Sequence, residues 1–334
     1  MSGTQADEKF MAAAIAAASQ INLAQDINPR VGAVLVNDSG EIVATGYHRG
    51  SGTAHAEIDA LNQISDAKGL TLYTTLEPCN STGVTGPCSQ AIVNAGIKKV
   101  VIGKLDENPK MAGGVTYLNN HGVEVASEVL PDECEKLNET WHFAHRASRP
   151  WVSWKVATSL DGFIAAKDGS SKWITSPESR QKVQELRASV GAIITGTGTV
   201  LADDPELTVR NIELVNQPLR VVVGKRSIPP AAKVLSGQKP ALHISDDVQN
   251  VLNNLWSDFG VHHVLVEAGP GLSRSLWAHG LVDEVFWFQA PLILGDGKHA
   301  IGDFGINSLD AGLRFSDYAL NRVGLDVLIQ FRTN

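Results

Sequence analysis

The chain has 334 residues, enough for about two domains at ~150 residues each. Apolar residues make up 43% and charged residues 19%, which excludes a disordered or fibrous chain. Lys and Arg number 28 against 36 Asp and Glu, a net charge of −8 with no basic block, so binding to a nucleic-acid backbone is disfavoured.

The first apolar run, Phe10 to Ala18, is short of the ~20 residues a membrane helix needs. Asp7 and Glu8 stand where a signal peptide carries positive charge, so an Ala-rich buried helix is expected there. Three cysteines, an odd count, argue against a secreted disulfide framework and for a soluble cytoplasmic protein with no membrane partner. Val31–Val36 reads as a strand, Asn37–Gly40 as a turn and Glu41–Ala44 as a returning strand. Helical spacing follows over His55–Gln63, a β-prone run over Leu72–Leu76, and a helix from Pro87 to about Ala95. Strands at Lys99–Ile102 and Val123–Val125 flank a short helix at Val115–Asn120. Ala144–Pro150 is polar, ends in proline and reads as a linker.

A second alternating series follows. Its expected strands are Trp151–Ala157, Ala192–Thr195, Leu219–Val223, Ala241–Ile244, His263–Glu267, Glu284–Gln289 and Val327–Phe331. Its expected helices are Pro177–Ser189, Val248–Phe259 and Leu272–His279. Two α/β domains in series, residues 1–145 and 146–334, are the expected organisation.

His55-Ala56-Glu57, Pro78-Cys79 and Pro87-Cys88 carry the chemistry of the first half. One imidazole and two thiolates supply three zinc ligands and leave a position for solvent, which zinc activates near neutral pH. Glu57 is placed to shuttle protons, as in nucleobase deaminases with His-x-Glu ahead of Pro-Cys-x-x-Cys. Here eight residues rather than two separate Cys79 from Cys88. Against this stand a surface helix pair at His-x-Glu and a purely structural zinc, although the latter normally has a fourth ligand. Cys134, in an acidic helix start, has no expected chemical role.

The long cysteine spacing, with Asn28–Val34, Gly46-Tyr47-His48, Gly52–Glu57 and Thr75–Cys79, resembles the deaminase half of the bifunctional riboflavin-biosynthesis deaminase/reductase family over residues 7 to 145. The resemblance implies a cytidine-deaminase-like three-layer α/β domain that hydrolyses an amino group from a phosphoribosylamino-pyrimidine. It makes His55, Cys79 and Cys88 the Zn2+ ligands, Glu57 the catalytic proton shuttle and Asn28 a substrate contact. The loop Cys79–Thr85 departs from the family: Ser81 replaces a histidine and Val84 an arginine or lysine, positions that help grip the ribosyl phosphate. Losing a charge-assisted contact costs roughly 1.5–3 kcal/mol, so a metal-bound but weakened or altered deaminase is expected.

In the second half, Thr195–Thr199 and Glu267–Gly271 are Gly-rich segments after strands, each also readable as a tight turn. Neither is a complete dinucleotide fingerprint. Lys155–Gly162, Trp173–Ser176, Leu201–Arg210 and Ala290–Gly295 join Glu267–Gly271 in resembling the reductase half of the same family, to about residue 297. That implies a dihydrofolate-reductase-like α/β domain using NADPH to deliver hydride to C1′ of the ribosyl group, giving a ribityl chain. By resemblance Lys155, Thr175, Arg187, Asp203, Leu207, Arg210 and Glu267 are substrate contacts. Lys155 and the arginines suit a phosphate, Asp203 and Glu267 hydroxyls. Arg187 also reads as a solvated residue on its helix. Thr195, Gly196, Thr199, Gly269 and Gly271 are the candidates for binding NADPH.

Two other readings stand beside this one: a reductase with a merely structural zinc domain, favoured by Ser81 and Val84, and a nucleic-acid base deaminase, opposed by the acidic balance. Trp277 and Glu284–Phe288 carry aromatic area that suits the core or a subunit interface, and the resemblance implies a homo-oligomer, dimer or tetramer.

Overall fold

The computed structural model describes residues 3–22, 24–81, 86–214, 216–237 and 241–333. The chain divides into two compact units, Met1–Arg146 and Ala147–Asn334.

The first unit runs α1 (Gly3–Ala18), β1 (Gly32–Val36), β2 (Ile42–Tyr47), α2 (Ala56–Leu61), β3 (Thr71–Leu76), α3 (Cys88–Asn94), β4 (Lys99–Lys104), α4 (Gly114–Asn120), β5 (Glu124–Ala126), α5 (Pro131–Leu137) and α6 (Glu139–Ala147). Its five strands lie in the order β2-β1-β3-β4-β5, antiparallel from β2 to β3 and parallel from β3 to β5. Side chains of a strand alternate between faces, and β1 uses both. Ala33 and Leu35 pack on one face with Ala56, Ala60, Ile92 and Leu118 from α2, α3 and α4. Val34 and Val36 pack on the other with Phe10, Met11 and Ala14 of α1 and Cys134 of α5. Burial on both sides explains an apolar run where a one-sided strand would alternate. Helices cover both faces, giving three layers.

The expected linker at 144–150 begins inside α6. Trp141, His142 and Ala144 are buried, and His145 and Arg146, which follow, still belong to this helix, Arg146 on its solvent face, mistaken for a loop. Cys134 is buried beside Gly103, and burial pushes its thiol up to about 12.

The second unit continues with β6 (Trp151–Thr158), β7 (Phe163–Ala166), α7 (Pro177–Ala188), β8 (Ala192–Gly196), α8 (Thr197–Asp203), β9 (Leu219–Val223), β10 (Leu242–Ile244), α9 (Val248–Ser257), β11 (His263–Val266), α10 (Pro270–Ala278), β12 (Glu284–Gln289), β13 (Gly297–His299), β14 (Tyr318–Val323) and β15 (Asp326–Arg332). Eight strands form one sheet, β10-β9-β8-β11-β6-β12-β15-β14, parallel from β10 to β12 and antiparallel at β15 and β14. Val251, Leu252 and Leu255 of α9 and Leu276 of α10 pack on one face, and Val183 of α7 meets Phe286 and Phe288 on the other.

Three strands escape the sequence pattern. β7 and β13 pair only with each other, and β14 is exposed along nearly its whole length, so no alternation marks it. α8 replaces a turn expected at Thr197–Thr199: Val200 is buried, and its packing overrides the poor helix formers Thr and Gly. Val285, Phe286 and Phe288 are core, while Trp277 sits within about 6 Å of Trp154, Phe304 and Phe315.

Candidate functional site

In the first unit, His55 lies at the N-cap of α2 and Glu57 in its first turn. A methyl on Gly46 of β2 would lie 2.3 Å from the Ala56 carbonyl oxygen, so only glycine lets α2 dock this closely and carry His55 inward. Cys79 follows β3, and Cys88 opens α3 after Pro87. The three ligand atoms lie within 4.8 Å of one another. His55 Nδ1 is 3.3 Å from Cys88 Sγ and 3.6 Å from Cys79 Sγ. A tetrahedral zinc with bonds of about 2.0–2.1 Å to nitrogen and 2.3 Å to sulfur separates such atoms by roughly 3.6 Å, so the donor set fits zinc. The Cys88 amide also donates to Cys79 Sγ. Hydrogen bonding from the Cys88 side chain holds the Cys79 thiol down, and that neighbouring sulfur pushes Cys88 up. Glu57 is buried and pushed up to about 7, first by burial and then by the Cys79 sulfur.

Glu77, in the motif before Cys79 but given no expected role, ties this loop down. Its carboxylate accepts from the amides of Gly113, Val115 and Asp106 at 3.0–3.2 Å. Asn28 Nδ2 lies 3.2 Å from His48 Nε2 and donates to Ser51 Oγ. His48 Nδ1 is 3.0 Å from the Ala54 carbonyl oxygen, which can only accept, so Nδ1 carries the proton and Nε2 accepts from Asn28. His48 is buried, and burial lowers its basicity. The sequence motif contains His48, but its grip on Asn28 joins positions 20 apart that no pattern links. Ser81 donates to Met111 Sδ, and Val84 lies outside the described residues.

In the second unit a cavity of about 520 Å³ opens beside β6, β8 and β11. Lys155, Thr175, Arg187, Asp203, Leu207, Arg210 and Glu267 all line it, as do Thr199 and Gly269. Gly196 and Gly271 stand outside its lining, and Thr195 is fully buried, its hydroxyl donating to the Glu267 carbonyl. Thr195 therefore joins β8 to the end of β11.

Arg187 is no solvated helix residue. Its Nε and Nη2 grip the two carboxylate oxygens of Glu267 at 2.6 and 3.1 Å, and Nη1 donates to the Thr208 carbonyl. Lys155 Nζ is 3.6 Å from the same carboxylate. Burial alone would raise Glu267, but the Arg187 charge, then that of Lys155, holds it down to about 2. Ser171 donates to Asp203 Oδ1, and Arg210 pairs with Glu206. Trp173 stands 69% exposed on the cavity wall with the Arg180 guanidinium 4.6 Å from its ring centre.

Residues 4–104 match the cytidine and deoxycytidylate deaminase zinc-binding region, and residues 150–329 match the RibD C-terminal domain. The riboflavin biosynthesis protein RibD of Aquifex aeolicus is 38% identical over 98% of both chains, and that of Escherichia coli 36% identical over 97% of this chain and 98% of that one. Among solved structures, Acinetobacter baumannii RibD superposes with a TM-score of 0.91 at 34% identity over the whole of both chains. A Thermotoga maritima diaminohydroxyphosphoribosylaminopyrimidine deaminase/5-amino-6-(5-phosphoribosylamino)uracil reductase superposes with a TM-score of 0.87 at 34% identity, covering 99% of each.

Proposed function

Because the chain belongs to the RibD family of bifunctional riboflavin-biosynthesis enzymes, with zinc and NADPH as cofactors, we propose a role for each residue of its two sites. His55, Cys79 and Cys88 hold the zinc, Glu57 moves the proton and Asn28 contacts the substrate. Zinc bound there supplies a Lewis acid that brings solvent to nucleophilic strength near neutral pH. Glu57, held near 7, is suited both to take a proton from that solvent and to give one to the leaving nitrogen. Water replaces the amino group of a phosphoribosylamino-pyrimidine, and ammonia leaves. His48 orients the Asn28 amide. A purely structural zinc is not favoured: three ligands leave a position open, and a buried carboxyl serves no structural zinc.

In the second unit NADPH, when bound, would supply the hydride for C1′ of the ribosyl group. The C1′–O4′ bond breaks, and Lys155, held beside Glu267, protonates the departing oxygen. Glu267 stays ionised and anchors both cations, so Arg187 shapes the cavity rather than meeting a phosphate directly. Half-buried Arg180 and exposed Arg210, the latter in a surface pair with Glu206, are the guanidiniums on the wall for that phosphate. Thr199 and Gly269 take the cofactor.

No described helix is long and apolar enough to cross a membrane. Three unoxidised cysteines support a cytoplasmic home, where thiolates stay available for zinc. The open edge of β14, with Tyr318 and Leu320 about three-fifths exposed, supports a homo-oligomer, dimer or tetramer, which light scattering tests.

The observation that carries the reading is the His55–Cys79–Cys88 cluster with buried Glu57 beside it. Incubation with the phosphoribosylamino-pyrimidine, with and without NADPH, followed by mass spectrometry is the test. Amine-to-carbonyl exchange adds about one mass unit, and reduction adds about two more only when NADPH is present. Unchanged substrate in both arms rejects the assignment.

A further inference from the structure

We propose that Arg226 reads the 2′-phosphate of the dinucleotide and so sets the preference of this enzyme for NADPH over NADH, an inference that rests on the reductase reading of the second unit. β8 and β9 are parallel neighbours, with Thr195 opposite Val222 and Gly196 opposite Val223, so the segments that follow them leave the same edge of the sheet. Ligands of open α/β sheets bind outside that carboxyl edge. Gly198 follows β8 and Arg226 follows β9. A methyl on Gly198 would lie 2.6 Å from Arg226 Nη2, so the guanidinium rests on bare Gly198 backbone and any side chain there would displace it. Gly198 and Thr199 line the cavity, which puts the guanidinium at its rim.

Most other cations of this wall are committed, and the exposed Lys298 offers a point charge rather than a planar fork. Arg187 and Lys155 are held by Glu267, Arg210 by Glu206, and Lys172 donates to the Asp203 carbonyl. Arg226 is exposed, and among the described residues it makes no hydrogen bond or ion pair. Its five N–H donors are therefore open to an oxyanion, and the planar fork suits a phosphate bidentately. NADPH carries a phosphate on its adenosine ribose where NADH carries a neutral hydroxyl, so a free guanidinium separates the two.

Titration calorimetry of the full chain with NADPH, NADH and adenosine 2′,5′-bisphosphate tests this without turnover. Arg226→Gln should weaken NADPH and the bisphosphate by about 10- to 100-fold, the loss of a charged hydrogen-bonding pair, and leave NADH within about twofold. Arg226→Lys should restore part of the loss, since charge remains without the fork. Equal losses for NADPH and NADH, or none, overturn the assignment. Loss of phosphopyrimidine binding with NADPH intact also overturns it and gives the arginine to the substrate. A wild-type chain that binds neither dinucleotide removes the reductase reading itself, a result distinct from any confined to the variant.

Discussion

Arg187 and Glu267, 80 positions apart, meet through two hydrogen bonds of 2.6 and 3.1 Å in the wall of the reductase cavity. Removing one partner of a largely buried ion pair costs about 3–5 kcal/mol, and Lys155, still beside Glu267, puts this case at the low end, about 3 kcal/mol. Arg187→Ala should therefore destabilise the second unit by about that much in urea unfolding. Adding Glu267→Gln should recover part of it, because the stranded charge is gone. Additive losses in the double variant would show that the pair is not the source.

The same pair gives a pH dependence. Glu267 is held down to about 2 from an ordinary 4.5, so between those values the unfolded chain binds the proton more tightly. Its contribution, roughly 3 kcal/mol, is complete above about pH 5 and is lost as pH falls toward 2. Stability of the second unit should drop over that window, and Glu267→Gln should flatten the drop. An unchanged acid limb in that variant contradicts the assignment.

At the metal, Cys79→Ser or His55→Ala should abolish bound zinc by elemental analysis, whereas Cys134→Ala should retain it. A chelator should stop ammonia release but, with the deaminated pyrimidine supplied directly, leave NADPH oxidation intact, since no zinc ligand is proposed in the second unit. NADPH oxidation lost in step with zinc would refute the division of labour.

By resemblance alone, Ser81 and Val84 stand where the family carries a histidine and a base. Ser81→His with Val84→Arg should lower KM for the phosphorylated pyrimidine by about 10- to 100-fold with zinc content unchanged. Full unmutated turnover with no gain on restoration would be evidence that the loop does not grip the phosphate.

His48→Ala frees the Asn28 amide from its acceptor. The expected outcome is a KM raised about tenfold, one neutral hydrogen bond, with kcat and zinc little changed. A fall in kcat alone would instead place His48 among the reacting groups.

The sequence made visible what is buried on both sides or fixed by local chemistry. β1 reads as a strand because Val34 and Leu35 each meet a helix, whereas α10, expected from Leu272, already starts at Pro270. The His55–Cys79–Cys88 cluster was legible because few residue types suit zinc. β14 was not, since its outward face meets solvent and carries no alternation. α6 was hidden for the opposite reason, its polar face being read as its whole character. The Arg187 grip was invisible because its partner comes from a strand end on another element, and Arg187 alone looks like any charged helix residue. Thr195 and Gly271 matched a motif, but only packing decides that Thr195 is buried and that Gly271 lies outside the cavity lining.

Glu77 binds three amides drawn from the loop after β4 and from the start of α4. The sulfur two residues later therefore takes its location from this backbone as well as from the Cys88 amide beside it. Variation elsewhere on that surface can proceed without disturbing the metal, whereas shortening this one acid by a single methylene should loosen it from a distance.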